Sequence, residues 1–300
     1  MCFLKIVILL LISLYTSAYA GELYKYKDHN GRWVFSDKQP AENQEVDRLQ
    51  YKGNKKGPPK PRVYIKNFEG RYSLVVHNPY YAPIEVEVYS SIFKSASRKE
   101  IVPESSTKTL YESSNKIPRY RYKWQLGDPV ADEDDYLYTF PVSSKKSHKI
   151  TQSFNGRFSH SKRPSIYAVD IATSVGTYIS AARDGTVIWV KDDYHMGGRN
   201  KYFLDKANYV KVLHQDGTYA VYAHILLGSA LVRPGDKVAA GDRLARSGSS
   251  GYSTGPHLHF VIRKNIGLKT ASIPFKFINN EGRSFKPRKG MSVDGIGNDS

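Results

Sequence analysis

The stretch Gly251-Tyr-Ser-Thr-Gly-Pro-His257-Leu-His259-Phe-Val-Ile262 decides how this chain is read. A Gly-Pro turn leads into an apolar run with β-type composition, and residues i and i+2 of a strand face the same side. His257 and His259 therefore point together into one cleft, which suits a metal ligand beside a second, catalytic imidazole. An isolated His-x-His on an edge strand can equally be plain surface, so the surroundings have to decide.

Upstream of this stretch the chain is dense in short alternating segments and glycine turns. Thr186–Lys191, Tyr209–His214 and Tyr219–His224 are predicted strands, and Gln215-Asp-Gly-Thr218 joins the second to the third by a tight turn. Between Val232 and Asp242 a Gly-Asp pair recurs after six residues, predicting two similar turns around a short strand. No long helical period is present. Four histidines and one aspartate stand out in this region: His160, Asp170, His224, His257 and His259. Singly, each has the ordinary reading of a turn former or a hydrogen-bonded surface group.

The region from Arg62 to about Val142 carries period-2 stretches, Tyr72–Pro79 and Ile84–Tyr89, separated by Pro and Ser turns. A small β-sandwich is predicted there. His77 belongs to it as a structural or exposed residue, and the acidic run from Asp132 to Asp135 reads as a solvated loop able to pair with basic surface elsewhere. Residues 52–61, rich in Lys, Gly and Pro, read as an extended linker. Residues 21–51 alternate Tyr and Trp around Asn30-Gly31, a hairpin signature. Residues 278–300 lack pattern and are expected to be disordered.

Lys5, the apolar stretch from Ile6 to Leu14 and Ala18-Tyr-Ala20 have the form of a secretory signal peptide over residues 1–20, too short for a membrane span. The only cysteine, Cys2, falls within it, so the remaining chain is stabilised without disulfides, as suits a bacterial export product. Localisation in the periplasm, or secretion, is expected. The formal charge of +17 favours an anionic polymer or surface as partner, and export argues against nucleic acid.

Taken together, the blocks over residues 150–275 resemble the lysostaphin-like (LytM-type) zinc metallopeptidases, exported enzymes that cut cell-wall peptides. The blocks are His160 with Tyr167-Ala-Val-Asp170-Ile-Ala, Gly176-Thr-Tyr-Ile-Ser-Ala-Ala-Arg-Asp-Gly185-Thr-Val, Tyr222-Ala-His224, Val232 to Asp242, and Gly251 to Phe260. The first His and the Asp are ten residues apart instead of the four common in the family, with Ser161 to Ile166 inserted. Residues 21–51 are similar to a short domain of unknown function in exported proteins of Gram-negative bacteria.

The resemblance implies a compact antiparallel β-sheet metallopeptidase domain of the duplicated hybrid motif type over residues 149–277, in a mostly β chain. It implies one Zn2+ per chain held by His160, Asp170 and His259, with His224 and His257 acting on protons and the oxyanion. It implies hydrolysis of peptidoglycan cross-links, with D-Ala to diaminopimelate favoured. The alternatives are a noncatalytic regulator of cell-wall amidases on the same fold and a sugar-phosphotransfer carrier, which export and the aspartate disfavour. His29, His148, His195 and His214 lie outside the motif, His195 on a loop near the cleft.

Overall fold

The computed structural model describes residues 21–27, 33–36, 46–51, 58–132 and 134–297. The expected signal segment 1–20, His29, the Asn30-Gly31 turn and residues 52–57 of the linker lie outside the described residues. The chain divides into two compact units, Met1–Gly53 and Asn54–Ser300. Among the described residues no helix is long and apolar enough to cross a membrane.

In the first unit, Gly21–Lys27 pairs antiparallel with Trp33–Ser36, the two arms that the alternation predicts. Its other edge pairs with Asp47–Tyr51, so the hairpin is extended to a three-stranded sheet.

The second unit is built on a nine-stranded sheet. Its path runs Lys237–Val238, Gly185–Lys191, Tyr209–Leu213, Tyr219–Ala223, His257–Asn265, Val169–Ala172, Ser147–Gln152 and Ser292–Asp294, with Thr270–Ser272 as a further partner of the His257–Asn265 strand. The only helix among the described residues is one 3-10 turn, Lys201–Phe203. Alternation sorts the central strand between two cores. Leu258, Phe260 and Ile262 are fully buried on one face with Phe140, Tyr222, Phe275 and Phe277, each such side chain contributing about 1.5–3 kcal/mol of burial. His257, His259, Val261 and Arg263 occupy the opposite face. The Gly-Asp repeat behaves as the spacing predicts: Asp236 accepts from Arg233 N at 2.7 Å and Asp242 from Ala239 N at 2.8 Å, closing two similar turns.

The predicted sandwich is present as two three-stranded antiparallel sheets, one of Arg62–Phe68, Arg71–His77 and Thr107–Ser113, the other of Ser97–Val102, Ile84–Tyr89 and Arg121–Leu126. It is not a free-standing domain. Its core of Val63, Leu74, Ile84, Val86 and Val88 continues without a break into Ala168, Ile188, Tyr219, Val221 and Val261 of the large sheet. Small sheets of short strands bury little surface, and this contact adds to their cover. Glu85 secures it, accepting from Asn265 Nδ2 at 2.8 Å and Leu268 N at 2.6 Å. The boundary expected at 142 also shifts, because Leu137–Thr139 pairs with Lys276–Ile278 and Val142–Ser143 with the Tyr178–Ser180 strand.

The disorder expected for residues 278–300 is corrected through residue 297. Ser292–Asp294 pairs with Ser147–Lys149, and Val293 is buried. A sheet edge that needs partners orders a segment whose own composition gives no such signal.

Candidate active site

One row across the sheet carries the site. Gln152 faces Asp170, Asp170 faces His259 and His259 faces Ala223 in successive antiparallel pairs, and facing residues hold their Cβ atoms about 5 Å apart. His257 lies two residues from His259 on the same side, opposite Ala172. His224 follows directly on the Tyr219–Ala223 strand. His160 comes from the loop between the Ser147–Gln152 and Val169–Ala172 strands.

His160, Asp170 and His259 converge. Nε2 of His160 is 3.2 Å from Asp170 Oδ1, Nδ1 of His259 is 2.8 Å from the same oxygen, and the two nitrogens are 3.3 Å apart. Zinc bonds of about 2.0–2.1 Å set ligand–ligand edges of about 3.3 Å in a tetrahedron, so this triangle fits one face of such a shell. The donor set, two imidazoles and a carboxylate, is that of a catalytic zinc site with one position left for water. Among the described residues it is the one group of three His, Cys, Asp or Glu side chains placed to hold a metal. Burial would raise the Asp170 carboxyl, but hydrogen bonds and charge from His160 and His259 outweigh it and hold the group well below the usual carboxylate range. His259 is itself pulled down, by burial first.

The ten-residue spacing from His160 to Asp170 is absorbed by the loop. Asn155 N donates to Ile166 O at 2.7 Å, closing the insertion on itself. Gln152 then bridges the loop to the carboxylate. Its Nε2 donates to Asp170 Oδ2 at 2.8 Å and to Ser159 Oγ at 2.7 Å, while its Oε1 accepts from Phe158 N at 3.1 Å. His160 is fully buried, and its Nδ1 donates to Ser153 O at 3.1 Å, which leaves Nε2 with a lone pair facing the site.

His224 and His257 stand beside the triangle with ring centroids 4.5 Å apart. Nδ1 of His224 donates to Ser250 O at 2.6 Å, and Nδ1 of His257 donates to Gly255 O at 2.8 Å. Each therefore presents Nε2 as a proton acceptor. The His224 pKa is pushed down to about 3 by burial and then by His257 and His259, so its ring is neutral. His224 also holds a left-handed backbone, φ 65°, fixed by its N–H on Asn208 O at 2.9 Å and its carbonyl accepting from Gly248 N at 3.0 Å. That close pass requires glycine at 248, where a Cβ would come within 2.9 Å of Leu226 backbone. Asn208 is fully buried, and its side chain holds both Tyr194 N and Tyr194 O.

These side chains open on a groove of about 530 Å³ whose lining includes Asp170, His224, His257 and His259. Phe158 and Tyr252, stacked at 5.7 Å, form part of the lining. A second hollow shares Asp170 and Phe158 and carries Arg157, Arg199, Lys286, Arg288 and Lys289. The structure thus brings together all five residues singled out in the sequence. His195 is exposed and not part of the groove lining, His148 binds Ala172 O and His214 binds Asp184 O, both structural. His77 pairs with Thr107 Oγ1 inside the sandwich, as expected. Asp134, from the acidic run, binds Arg183 at 2.7 Å. Gln152 and Asn208 were not visible as site residues; the only trace of Gln152 is its place at the end of a strand two positions from Ile150.

Parts of the chain are similar to known proteins. Residues 165–271 match the model of peptidase family M23, and residues 10–63 match a domain of unknown function, DUF4124. His160 precedes the first of these matches. A protein of Haemophilus influenzae described as an uncharacterized metalloprotease is 36% identical over 125 residues, 42% of this chain and 22% of that protein. The peptidoglycan DD-endopeptidase ShyA of Vibrio cholerae is 32% identical over 141 residues, 45% of this chain and 30% of that protein. The chain thus matches less than a third of the length of either relative. The solved catalytic domain of the prophage-encoded M23 protein EnpA from Enterococcus faecalis aligns at 29% identity over 42% of this chain and 87% of that one, with a TM-score of 0.31. Over residues 165–271 the chain is thus similar to peptidase family M23, and the suspected resemblance to lysostaphin-like proteins is matched there.

Proposed function

We propose that this protein is an exported zinc endopeptidase that hydrolyses peptide cross-links of bacterial peptidoglycan, the D-alanyl to diaminopimelate bond first. The observation that carries the reading is the triangle of His160, Asp170 and His259 with the two imidazoles of His224 and His257 beside it on one groove. Zinc held by those three residues would supply a Lewis acid that polarises the scissile carbonyl and acidifies a water molecule. The protein's own part is positional. Asp170, held ionised, and the lone pairs of His160 and His259 form the ligand set, and Gln152 keeps the carboxylate turned toward it. His224 and His257, each anchored through Nδ1 to a carbonyl, offer Nε2 to take the water proton and return it to the leaving amine.

The substrate class is supported by the DD-endopeptidase relative and by the basic hollow beside the groove. Export to the periplasm is the matching location and rests on the form of residues 1–20. A noncatalytic regulator of amidases is disfavoured, because all five chemistry-bearing residues are in place and meet. The test is digestion of cross-linked muropeptide dimers by the purified protein, followed by mass spectrometry. Dimers are expected to become monomers without new reducing ends. Reducing ends with the cross-links intact would overturn the choice of reaction.

A further inference from the structure

Beyond the histidines the groove floor changes character. Val261 and Arg263 continue the face of His259 along the same strand, and Tyr209 and Lys211 lie across the sheet on that side. Four residues of strand put Arg263 about 13 Å from His259. Tyr209, Lys211 and Arg263 line both the catalytic groove and a smaller inner hollow of about 310 Å³ walled by Tyr80, Trp124 and Trp189. The inner hollow has no Asp or Glu in its lining.

Three of its side chains, Lys211, Arg263 and Trp189, carry donors with no acceptor among the described residues. Among the described residues no carboxylate lies within ion-pair distance of Lys211 or Arg263. Lys211 Nζ rests over the Tyr209 ring at 4.8 Å. Arg263 uses Nε on Pro164 O at 3.1 Å and Nη2 on Ser165 Oγ at 3.2 Å, which fixes the guanidinium and leaves Nη1 without a partner among the described residues. Trp189 Nε1 is buried and likewise has no acceptor among them. Burial and the neighbouring Arg263 pull the Lys211 ammonium down to about 8. Two partly buried cations side by side repel each other, and an anion that joins them relieves that repulsion.

We propose that Lys211 and Arg263 form a subsite for a carboxylate of the peptide substrate, remote from the bond cut. The inference rests on the peptidase reading for the identity of the peptide, and on the geometry alone for the anion. A side-chain or terminal carboxylate would convert the repulsion between the two cations into paired, charge-assisted hydrogen bonds. It would also fix the register in which the chain crosses the histidines, because Arg263 and His259 share one strand face.

The test is binding by the full chain with its metal removed, so that no cleavage enters. The probe is the tetrapeptide L-Ala-γ-D-Glu-meso-diaminopimelyl-D-Ala, compared with the same peptide carrying carboxamides in place of its free carboxylates. The acid form is expected to bind at least tenfold more tightly, and Lys211→Met and Arg263→Met are each expected to remove most of that preference, with the thermal stability of Lys211→Met equal to or above wild type. Arg263 also braces the Pro164 turn, so Lys211→Met is the deciding variant should Arg263→Met unfold. Equal affinity for the two peptides, a preference that survives Lys211→Met, or inorganic phosphate binding more tightly than the acid peptide would overturn the subsite. Acid preference without any cross-link cleavage by the metal-loaded protein would instead overturn the peptidase reading and leave the subsite standing.

Discussion

Gln152 Nε2 donates to Asp170 Oδ2 at 2.8 Å while the same nitrogen reaches Ser159 Oγ at 2.7 Å. One side chain thereby orients Asp170, a proposed ligand, and ties down the loop that delivers His160. Removing such an orienting partner typically weakens metal affinity by about 10–100-fold. Gln152→Ala is therefore expected to raise the zinc dissociation constant by that factor in a chelator competition assay, with the fold retained. Asp170→Ala, His160→Ala and His259→Ala are expected to reduce bound zinc from about one per chain to near zero. Full zinc occupancy in His160→Ala would mean that the loop histidine is not a ligand.

A second expectation concerns pH and lies away from the metal. Burial pushes His214 down to about 4, with its Nδ1 donating to Asp184 O at 2.8 Å and its ring against Tyr138. The folded state holds the ring neutral, whereas the unfolded chain takes up a proton near 6.5. Below 6.5 the unfolded state binds more protons, so this contribution to stability is complete above that pH and is lost as pH falls toward 4. The loss is on the order of 2–4 kcal/mol over that window. Urea unfolding of the metal-free protein at pH 7 and pH 5 is expected to show it, and His214→Asn is expected to reduce the difference, the part due to His224 and His259 remaining. An equal pH response in wild type and variant would refute the assignment to His214.

The strands were legible because they depend on short-range pattern, whereas the proposed ligand set of His160, Asp170 and His259 came from the resemblance of whole blocks. Period-2 alternation marked Tyr209–Leu213, Tyr219–Ala223 and the start of the His257–Asn265 strand, and the His257, His259 pair declared one face before any fold was known. What was not legible depends on contacts far apart in sequence. Gln152 reads as one polar residue of an alternating strand until Asp170 is placed opposite. Lys211 reads as the solvent side of its strand, because nothing local reveals that Val221 and Arg263 lie beside it beneath the sandwich. Ser292–Asp294 gains its order from an edge set by residues 147–149. Fusion of the sandwich to the large sheet follows from two half-buried faces finding each other, which periodicity within either part does not encode.

The basic hollow gives a third expectation. Arg157, Arg199, Lys286, Arg288 and Lys289 line a space in which the only carboxylate among the described lining residues, Asp170, is turned to His160 and His259. If this face recruits the anionic wall polymer, cleavage of insoluble peptidoglycan should fall as salt rises and the screening length shortens from about 10 Å at 0.1 M toward 3 Å at 1 M. Charge removal by Lys286→Gln, Arg288→Gln and Lys289→Gln together is expected to lower that activity at low salt and to leave cleavage of small soluble muropeptides unchanged. A flat salt response would assign the +17 charge to surface solvation.

The roles of His224 and His257 separate a peptidase from a scaffold most directly. Neither belongs to the converging triangle, and both keep Nδ1 on a backbone carbonyl, so their Nε2 atoms are available for proton transfer. His224→Ala and His257→Ala are each expected to retain about one zinc per chain and to lose cross-link cleavage by on the order of 10² or more. His224 carries an added structural cost, since alanine must adopt its left-handed φ of 65°. His224→Gly, which tolerates that backbone, is the control: it should match His224→Ala in activity while unfolding at a higher temperature. Metal content, thermal unfolding and cleavage measured on the same preparations keep a folding defect apart from a chemical one. Variants that fold, hold zinc and cleave like wild type would show these histidines to be spectators, and loss of zinc from either would move that residue into the ligand set.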